Sequence, residues 1–250
     1  RDVAEKTAPI INYARENGLH ALFFPYDTTR ARNEDLTNLC GFIMDNAPPD
    51  SIGIVDTMGC ATPEAIKHMV RWVNDMTGLP IEIHTHNDFG MGVATELAAV
   101  TAGAVCVHSC ANGLGERTGN AALEELMMGL HLLYGYDTNY RLDKIPELAE
   151  MIAVKSNIPI ARNKPVLGHG NFIRESGIGI NYVMNDPLVM FATHPSLTGK
   201  IGEVVLGKKS GKASIIYKMG ELGLGELEDE KIAKILDEVK ATGIAKRDVL

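Results

Sequence analysis

Cysteine and basic residues are scarce in this sequence, and each shortage excludes a class of protein. Only four of the 250 residues are cysteine, too few for the disulfide framework of a small secreted domain, so a reducing cytoplasm is the expected compartment. The 24 lysine and arginine residues are outnumbered by 32 aspartate and glutamate residues, which gives a formal net charge of −8. Nucleic acid is not expected as the main partner, because neutralising its phosphates needs a basic surface.

Long apolar runs are also missing. No stretch of about 18 apolar residues occurs, so we expect no membrane-spanning helix, and no signal peptide is visible. With 45% hydrophobic and 22% charged residues, the composition is that of an ordinary globular protein, long enough for one α/β barrel or two smaller domains. The sequence starts at Arg1, without an initiator methionine and inside a helical pattern, so we expect it to begin within a domain.

The first half of the chain alternates strand and helix patterns. Apolar segments at 19–24, 51–55, 80–85 and 104–110 predict four strands, and a helical pattern follows each of them. Four such units predict a parallel sheet with the functional residues at the carboxyl ends of its strands. Both half of an eight-stranded TIM barrel and a small doubly wound sheet fit this pattern.

The pattern changes beyond about residue 137. A helix is predicted over 140–160, the segment 161–213 is rich in glycine and proline, and 224–250 ends in an amphipathic helix. We therefore predict a partial catalytic barrel over residues 1–137 and an appended helical, loop-rich linker region over 138–250.

The segment 81–88, with the sequence Ile-Glu-Ile-His-Thr-His-Asn-Asp, is the most informative part of the chain. Alternate side chains of a strand share a face, so His84 and His86 converge at the end of the predicted third strand. Two convergent imidazoles supply two ligands of a divalent-metal site. Glu82 shares their face but lies deeper, and support of the core is the favoured role for it.

A glycine-rich loop over residues 112–120 follows the fourth predicted strand. Glu116 and Arg117 can pair there with each other or with a carboxylate substrate. Asn120 is expected to begin the next helix, where its side chain either caps the helix or completes a metal site. The glycine spacing does not match the dinucleotide fingerprint, which disfavours nucleotide binding.

Three other patterns allow both a structural and a functional interpretation. Thr57 lies at the exit of the second predicted strand and either belongs to a turn or hydrogen-bonds a substrate. Cys106, His108 and Cys110 alternate along the fourth strand, either as a thiolate–imidazole site or, as favoured, as the lining of a barrel interior. The segment 202–209 nearly fits a P-loop, but lysine stands where the magnesium-binding serine or threonine belongs, which disfavours nucleotide hydrolysis.

Together, the segments 84–88 (HTHND), 113–120 (GLGERTGN) and 206–211 (LGKKSG) resemble the 2-isopropylmalate, homocitrate and citramalate synthase family. Its members are TIM-barrel, metal-dependent enzymes of acyl-CoA chemistry, and the resemblance extends over nearly the whole chain. It implies an α/β fold made of the C-terminal half of a (β/α)8 barrel, strands five to eight, followed by linker subdomains. The first four strands, with an aspartate metal ligand and an Arg-Glu pair, would lie outside this sequence, which we expect to be a fragment.

The resemblance also implies a reaction. His84, His86 and Asn120 would bind a divalent metal (Mg, Mn or Zn), which polarises the carbonyl of a 2-oxo acid. The enolate of an acyl-CoA, in the first place acetyl-CoA, would attack that carbonyl, and thioester hydrolysis would release CoA and a 2-hydroxy di- or tricarboxylic acid. Thr57 would contact the oxo acid, and Glu116 and Arg117 would stabilise the catalytic loop. A homodimer is the expected assembly, and no membrane partner is expected.

Two departures from the family pattern bear on the substrate and on the base. Where the family has polar residues on the first of these strands, this chain has the segment 24–26 (FPY), which indicates a less polar or differently shaped 2-oxo-acid pocket contacted by Tyr26. The family's linker motif Ser-Gly-Ile-His is Ser-Gly-Ile-Gly here, so its histidine is missing. His169, Tyr182 and His194 are candidate replacements, with His169 preferred.

Two alternatives stay open. One is a lyase or aldolase that cleaves a hydroxy acid or a hydroxyacyl-CoA, although the glycine loop lacks the cysteine typical of that branch. The other is a non-catalytic relative, which the missing linker histidine would suit.

Overall fold

The computed structural model describes residues 2–245, apart from the side chains of residues 181, 183 and 184. The chain divides into two compact units, Arg1–Tyr140 and Arg141–Leu250. No helix in the described range is both long enough and apolar enough to cross a membrane.

The first unit contains five α-helices and a four-stranded sheet among its described residues. In chain order these are α1 (Asp2–Glu16), β1 (Leu22–Phe23), α2 (Asn33–Asn46), β2 (Ser51–Asp56), α3 (Pro63–Thr77), β3 (Ile81–Thr85), α4 (Gly92–Ala102), β4 (Cys106–His108) and α5 (Leu123–Met128). All neighbouring strands are parallel, in the order β1-β2-β3-β4. The predicted α/β fold with a parallel sheet is therefore confirmed.

The two outer strands are shorter than the sequence pattern predicts. β1 has two residues and β4 has three, within predicted strands at 19–24 and 104–110. Each outer strand pairs with one neighbour in the described sheet, so fewer ladder hydrogen bonds extend it. Cys110, at the end of the fourth predicted strand, does not continue β4. It forms an isolated parallel bridge with Ala122 instead.

The two faces of the sheet differ in burial. On the outer face, isoleucines 52, 54, 81 and 83 are buried in a core with Ile66, Val70 and Val73 of α3. The α3 residues recur at helical spacing, which puts all three on one face of the helix. Thr62 caps α3 by accepting a hydrogen bond from the backbone N–H of Ala65, and proline follows at the first helical position. The inner face carries Glu82, His84, Cys106 and His108, which are not fully buried.

The second unit is described separately. Its helices and strands are α6 (Ile145–Ser156), β5 (Ile173–Arg174), α7 (Ile180–Asn185), β6 (Glu203–Val204), α8 (Lys212–Glu221) and α9 (Asp229–Ala245). β5 and β6 form a two-stranded parallel sheet, and Ile215 and Met219 of α8 pack against Ile232 of α9. The predicted last helix, 224–250, begins at Asp229, and its final five residues lie outside the described range.

Candidate metal and substrate site

Three of the predicted metal ligands lie together at the carboxyl end of β3. The rings of His84 and His86 have centroids 5.2 Å apart and are nearly perpendicular. His86 follows the last strand residue and forms an isolated antiparallel bridge with Asn120. The strand alternation aims both imidazoles at the inner face, and the bridge brings the amide of Asn120 to the same place.

The expectation that Asn120 begins the next helix is wrong. Helix α5 starts at Leu123, and Ala122 occupies the cap position. The chain stays extended at Asn120 because long-range hydrogen bonds hold it there: its own N–H donates to the Gly113 carbonyl, and the next N–H donates to the carbonyl of Thr85. The capping alternative for Asn120 is therefore excluded.

Two polar atoms of this cluster take part in no hydrogen bond among the described residues. His86 Nδ1 and Asn120 Oδ1 are buried and have no hydrogen-bond partner among the described residues. Leaving buried polar atoms without a partner is unfavourable, so a ligand at this place would stabilise them. The amide nitrogen of Asn120 is already used, since it donates to Cys110 Sγ (3.1 Å) and to the Leu114 carbonyl (3.3 Å), which leaves the oxygen as the free group.

The protonation state of His84 also suits a ligand. Burial lowers the pKa of His84, and the neighbouring imidazoles of His86 and His108 lower it further. A neutral imidazole keeps a lone pair for a metal, whereas an imidazolium does not. The three neighbouring side chains thus offer nitrogen and oxygen donors of the kinds that divalent cations bind.

Thr85 lies between the two histidines but faces the opposite side of the sheet. Its backbone N–H and its hydroxyl both donate to Glu96 Oε1, over 3.2 and 3.1 Å. Glu96 is completely buried in α4, and burial raises the pKa of its carboxyl group to about 8, although the hydrogen bonds from Thr85 work against this shift. The side chain is therefore mostly protonated at neutral pH.

The last two residues of the motif connect β3 to other segments. Asn87 Oδ1 accepts a hydrogen bond from the N–H of Gly92, at the start of α4, over 2.9 Å. The carboxylate of Asp88 forms two hydrogen bonds with Arg117, from Nε over 2.8 Å and from Nη2 over 2.9 Å. Because of this pairing with Arg117, the pKa of Asp88 is lowered.

Arg117 joins the exits of two strands. Besides its contacts with Asp88, its Nη2 donates to the backbone carbonyl of Thr57 over 2.6 Å. Glu116, its neighbour in sequence, is 3.7 Å away, and its side chain is 84% exposed. The predicted pairing of Glu116 with Arg117 is thus weaker than the pairing of Arg117 with Asp88, a partner that the sequence analysis did not identify.

Glycine is required at two positions of this loop. A Cβ on Gly119, whose φ is +90°, would overlap the carbonyl oxygen of Gly113. A Cβ on Gly115, whose φ is +155°, would lie 2.7 Å from Asn120 Nδ2. The loop therefore closes tightly around the amide of Asn120 only because these side chains are absent.

The two predicted substrate contacts are placed differently. Thr57 is buried at the end of β2, and its hydroxyl oxygen accepts a hydrogen bond from the N–H of Asp27 over 2.9 Å. That bond leaves the hydroxyl proton free for another acceptor. Tyr26, in the turn after β1, is 75% exposed.

His169 belongs to the second unit. It lines a cavity of about 800 Å³, whose charged lining residues are Arg162, Glu175, Glu203, Lys208 and Glu238. Lys209, next to this lining, donates its backbone N–H to Glu175 Oε1 over 3.0 Å. Glu175 therefore holds the backbone of the segment 202–209, which nearly fits a P-loop in sequence.

Comparison with known proteins identifies the family. The profile of the HMGL-like family matches residues 1–152. The chain is 37% identical over 242 residues to the homocitrate synthase AksA of Methanopyrus kandleri, an alignment that covers 97% of this chain and 60% of that enzyme. Two proteins of Methanocaldococcus jannaschii are also similar: the (R)-citramalate synthase CimA, 33% identical, and the 2-isopropylmalate synthase, 35% identical. The alignments cover 97% of this chain in both cases, and 49% and 47% of the two enzymes.

Among solved structures, the HMG-CoA lyase of Bacillus subtilis has a similar fold. The superposition has a TM-score of 0.57 at 21% sequence identity and covers 64% of this chain and 58% of the lyase chain. This chain thus spans about half to three-fifths of the proteins it matches. The family profile covers more than half of the chain, together with the whole of the cluster at the end of β3, and the chain belongs to the HMGL-like family.

Proposed function

We propose that the protein containing this chain is a metal-dependent synthase that condenses an acyl-CoA, in the first place acetyl-CoA, with a 2-oxo acid. The observation that carries the proposal is the cluster of His84, His86 and Asn120 at the carboxyl end of a parallel sheet, with two buried ligand atoms that lack partners among the described residues. The homocitrate and citramalate synthases among its relatives supply the reaction class.

His84, His86 and Asn120 would hold a divalent cation through two imidazole nitrogens and one amide oxygen. When bound, the ion would polarise the keto carbonyl of the 2-oxo acid as a Lewis acid. The free hydroxyl proton of Thr57 is the candidate donor to the oxo acid, and Tyr26 is the candidate contact at the open side of the site. Arg117 acts as a positioning residue, because it fixes the strand exits at Thr57 and Asp88.

Condensation also requires removal of a proton from the acetyl methyl group. The glycine at position 179, where the family has a histidine, leaves His169 as our candidate for the base. Glu116, whose side chain is exposed, would support the position of the glycine-rich loop and would not itself be the base.

The proposal extends to the architecture of the whole protein. We infer that β1–β4 correspond to strands five to eight of a (β/α)8 barrel, in agreement with the parallel order of the sheet and with the fold shared with the lyase. A cytoplasmic homodimer is the assembly that the family resemblance favours.

The test is release of free CoA by the full-length protein from acetyl-CoA and a panel of 2-oxo acids, with Mg²⁺, Mn²⁺ or Zn²⁺ supplied. We expect metal-dependent turnover with one class of acid and its loss in His86→Ala. The matched control is His68→Ala, at an exposed position of α3, which should keep full activity. Absence of turnover with every acid and every metal contradicts the proposal, and cleavage of hydroxymethylglutaryl-CoA without any condensation would assign the lyase reaction instead.

A further inference from the structure

A second group of metal-ligating side chains lies on the inner face of the first sheet. Glu82, Cys106 and His108 offer a carboxylate oxygen, a thiol sulfur and an imidazole nitrogen that all lie within 4.8 Å of one another. The strand register places Glu82 directly beside Cys106, and His108 follows two residues later on the same face of β4. The backbone of two adjacent strands therefore fixes the relative positions of the three groups.

The carboxylate of Glu82 is oriented from both sides. Its Oε2 lies 3.1 Å from His108 Nε2, and its Oε1 accepts a hydrogen bond from the hydroxyl of Ser51 over 2.6 Å. Ser51 Oγ in turn lies 3.1 Å from His20 Nε2. Outer-shell hydrogen bonds of this kind, which fix the orientation of a ligating carboxylate, are typical of metal sites.

We propose that Glu82, Cys106 and His108 bind a zinc-type cation at a site separate from the cluster of His84, His86 and Asn120. A set of one sulfur, one nitrogen and one oxygen donor suits Zn²⁺ and disfavours Mg²⁺, which prefers oxygen ligands. Binding breaks the hydrogen bond between His108 Nε2 and Glu82 Oε2 and forms one bond from each donor to the ion. The Nε2 proton of His108 moves to Nδ1 through solvent, and the thiol proton of Cys106 leaves to solvent. The thiolate and the carboxylate then balance the two charges of the ion, with the imidazole neutral.

The required movement is small. Donors around a tetrahedral zinc ion are about 3.5 Å apart, given bond lengths of about 2.0 to 2.3 Å. The carboxylate and imidazole atoms of Glu82 and His108 are already within this range, at 3.1 Å. Only the sulfur of Cys106 has to approach, and this exposed side chain already contacts the carboxylate of Glu82 through a hydrogen bond. A water molecule would complete the coordination at the open side.

Sulfur gives the site a spectroscopic signature that the other cluster lacks. The cluster at the end of β3 contains two imidazoles and an amide, whereas the second site contains a thiolate. An alternative thiol at the first cluster is Cys110, whose Sγ accepts a hydrogen bond from Asn120 Nδ2. An experiment that reports thiolate ligation and distinguishes Cys106 from Cys110 therefore tests the proposal.

Co²⁺ is the probe, titrated into the reduced, metal-free full-length protein while the near-ultraviolet thiolate-to-cobalt charge-transfer band is recorded. We expect a band that saturates at one ion per chain, is displaced by Zn²⁺ and disappears in Cys106→Ser. His108→Ala should also abolish it. Ser51→Ala removes the outer-shell hydrogen bond to Glu82 and leaves all three proposed ligands in place, so it should weaken Co²⁺ binding by about tenfold or more.

Three matched variants complete the test. Cys110→Ser, Cys60→Ser and His86→Asn should all keep the band, because none of them changes the three proposed ligands. Far-ultraviolet circular dichroism of each variant shows whether it is folded. Absence of a band in the unmodified chain overturns the proposal, and so does a band that survives Cys106→Ser or is lost in Cys110→Ser.

Discussion

The two faces of β3 carry opposite kinds of side chain within five residues. Ile81, Ile83 and Thr85 on the outer face are completely or almost completely buried, while Glu82 and His84 on the inner face are only partly buried. The period of two in a strand separates these sets without any change in the backbone. One face of the strand thus stabilises the fold and the other supplies the groups that can bind ions, so substitutions on the two faces should have separable effects.

Thr85 is the exception on the outer face, since it introduces a polar contact into the buried layer. Its N–H and hydroxyl both contact a carboxyl group, that of Glu96, which is itself inaccessible to solvent. The second oxygen of this carboxyl, Oε2, has no hydrogen-bond partner among the described residues. The buried layer behind the histidines therefore contains an ionisable group, and stability should depend on its protonation.

The largest expected effect is the pH dependence of stability caused by Glu96. Its pKa is about 8 in the folded chain against 4.5 for an ordinary glutamate side chain, so between these pH values the folded state binds more protons than the unfolded state. The stabilising contribution is complete below pH 4.5 and is lost as the pH rises towards 8, by as much as about 5 kcal/mol, at about 1.4 kcal/mol for each pH unit. Glu96→Gln should remove this slope in urea unfolding measured at several pH values.

The control for this experiment is Glu64→Gln, at an exposed position of α3. It should leave the pH dependence of the parent chain intact, because an exposed carboxyl stays hydrated in both states. Equal slopes in the parent chain and in Glu96→Gln would show that Glu96 does not carry the effect.

The second prediction compares substitutions on the two faces of β3. Ile83→Ala removes a fully buried side chain from the outer face and should reduce the free energy of unfolding by about 3 kcal/mol, as typical for such truncations. His84→Ala, on the inner face of the same strand, should change it by about 1 kcal/mol or less. The effects on the activity of the full-length protein should have the opposite order. His84→Ala should be inactive, and Ile83→Ala should remain active at low temperature. Parallel losses of stability and activity in both variants would contradict the separation.

The sequence was sufficient to predict the two faces of β3, because alternation is a local property of the strand. It was also sufficient for α3, where Thr62 and the following proline mark the first turn. The position of Asn120 could not be predicted in the same way. An asparagine before an apolar segment is typical of a helix cap, and only hydrogen bonds to distant residues keep the chain extended there.

Long-range contacts account for the other residues that the sequence analysis missed. Asp88 and Arg117 are 29 positions apart, and nothing local in either segment indicates their two hydrogen bonds. Glutamate side chains are usually charged and exposed on the protein surface, whereas Glu96 is buried. The one available signal was its position in α4, between small and apolar neighbours.

The smallest effect concerns the loop that supports the inner face, and it distinguishes two adjacent residues. Arg117→Lys keeps the positive charge but loses the two parallel hydrogen bonds to Asp88, since an ammonium group cannot reproduce the planar geometry of a guanidinium group. We expect kcat/KM for CoA release by the full-length protein to fall by about ten- to a hundredfold, as for a small displacement of catalytic groups.

Glu116→Gln is the matched variant for Arg117→Lys. The Glu116 side chain is 84% exposed, and its oxygen lies 3.7 Å from Arg117, so the two form a weak, solvent-exposed ion pair. Glu116→Gln should therefore change kcat/KM by less than about twofold. A loss in Glu116→Gln as large as that in Arg117→Lys would mean that Glu116 acts on the substrate itself. A larger loss in Arg117→Lys than in Glu116→Gln would show that the cluster of His84, His86 and Asn120 depends on Arg117 for its position. Arg117 can have this effect because it holds the ends of β2 and β3 together through its hydrogen bonds to Thr57 and Asp88.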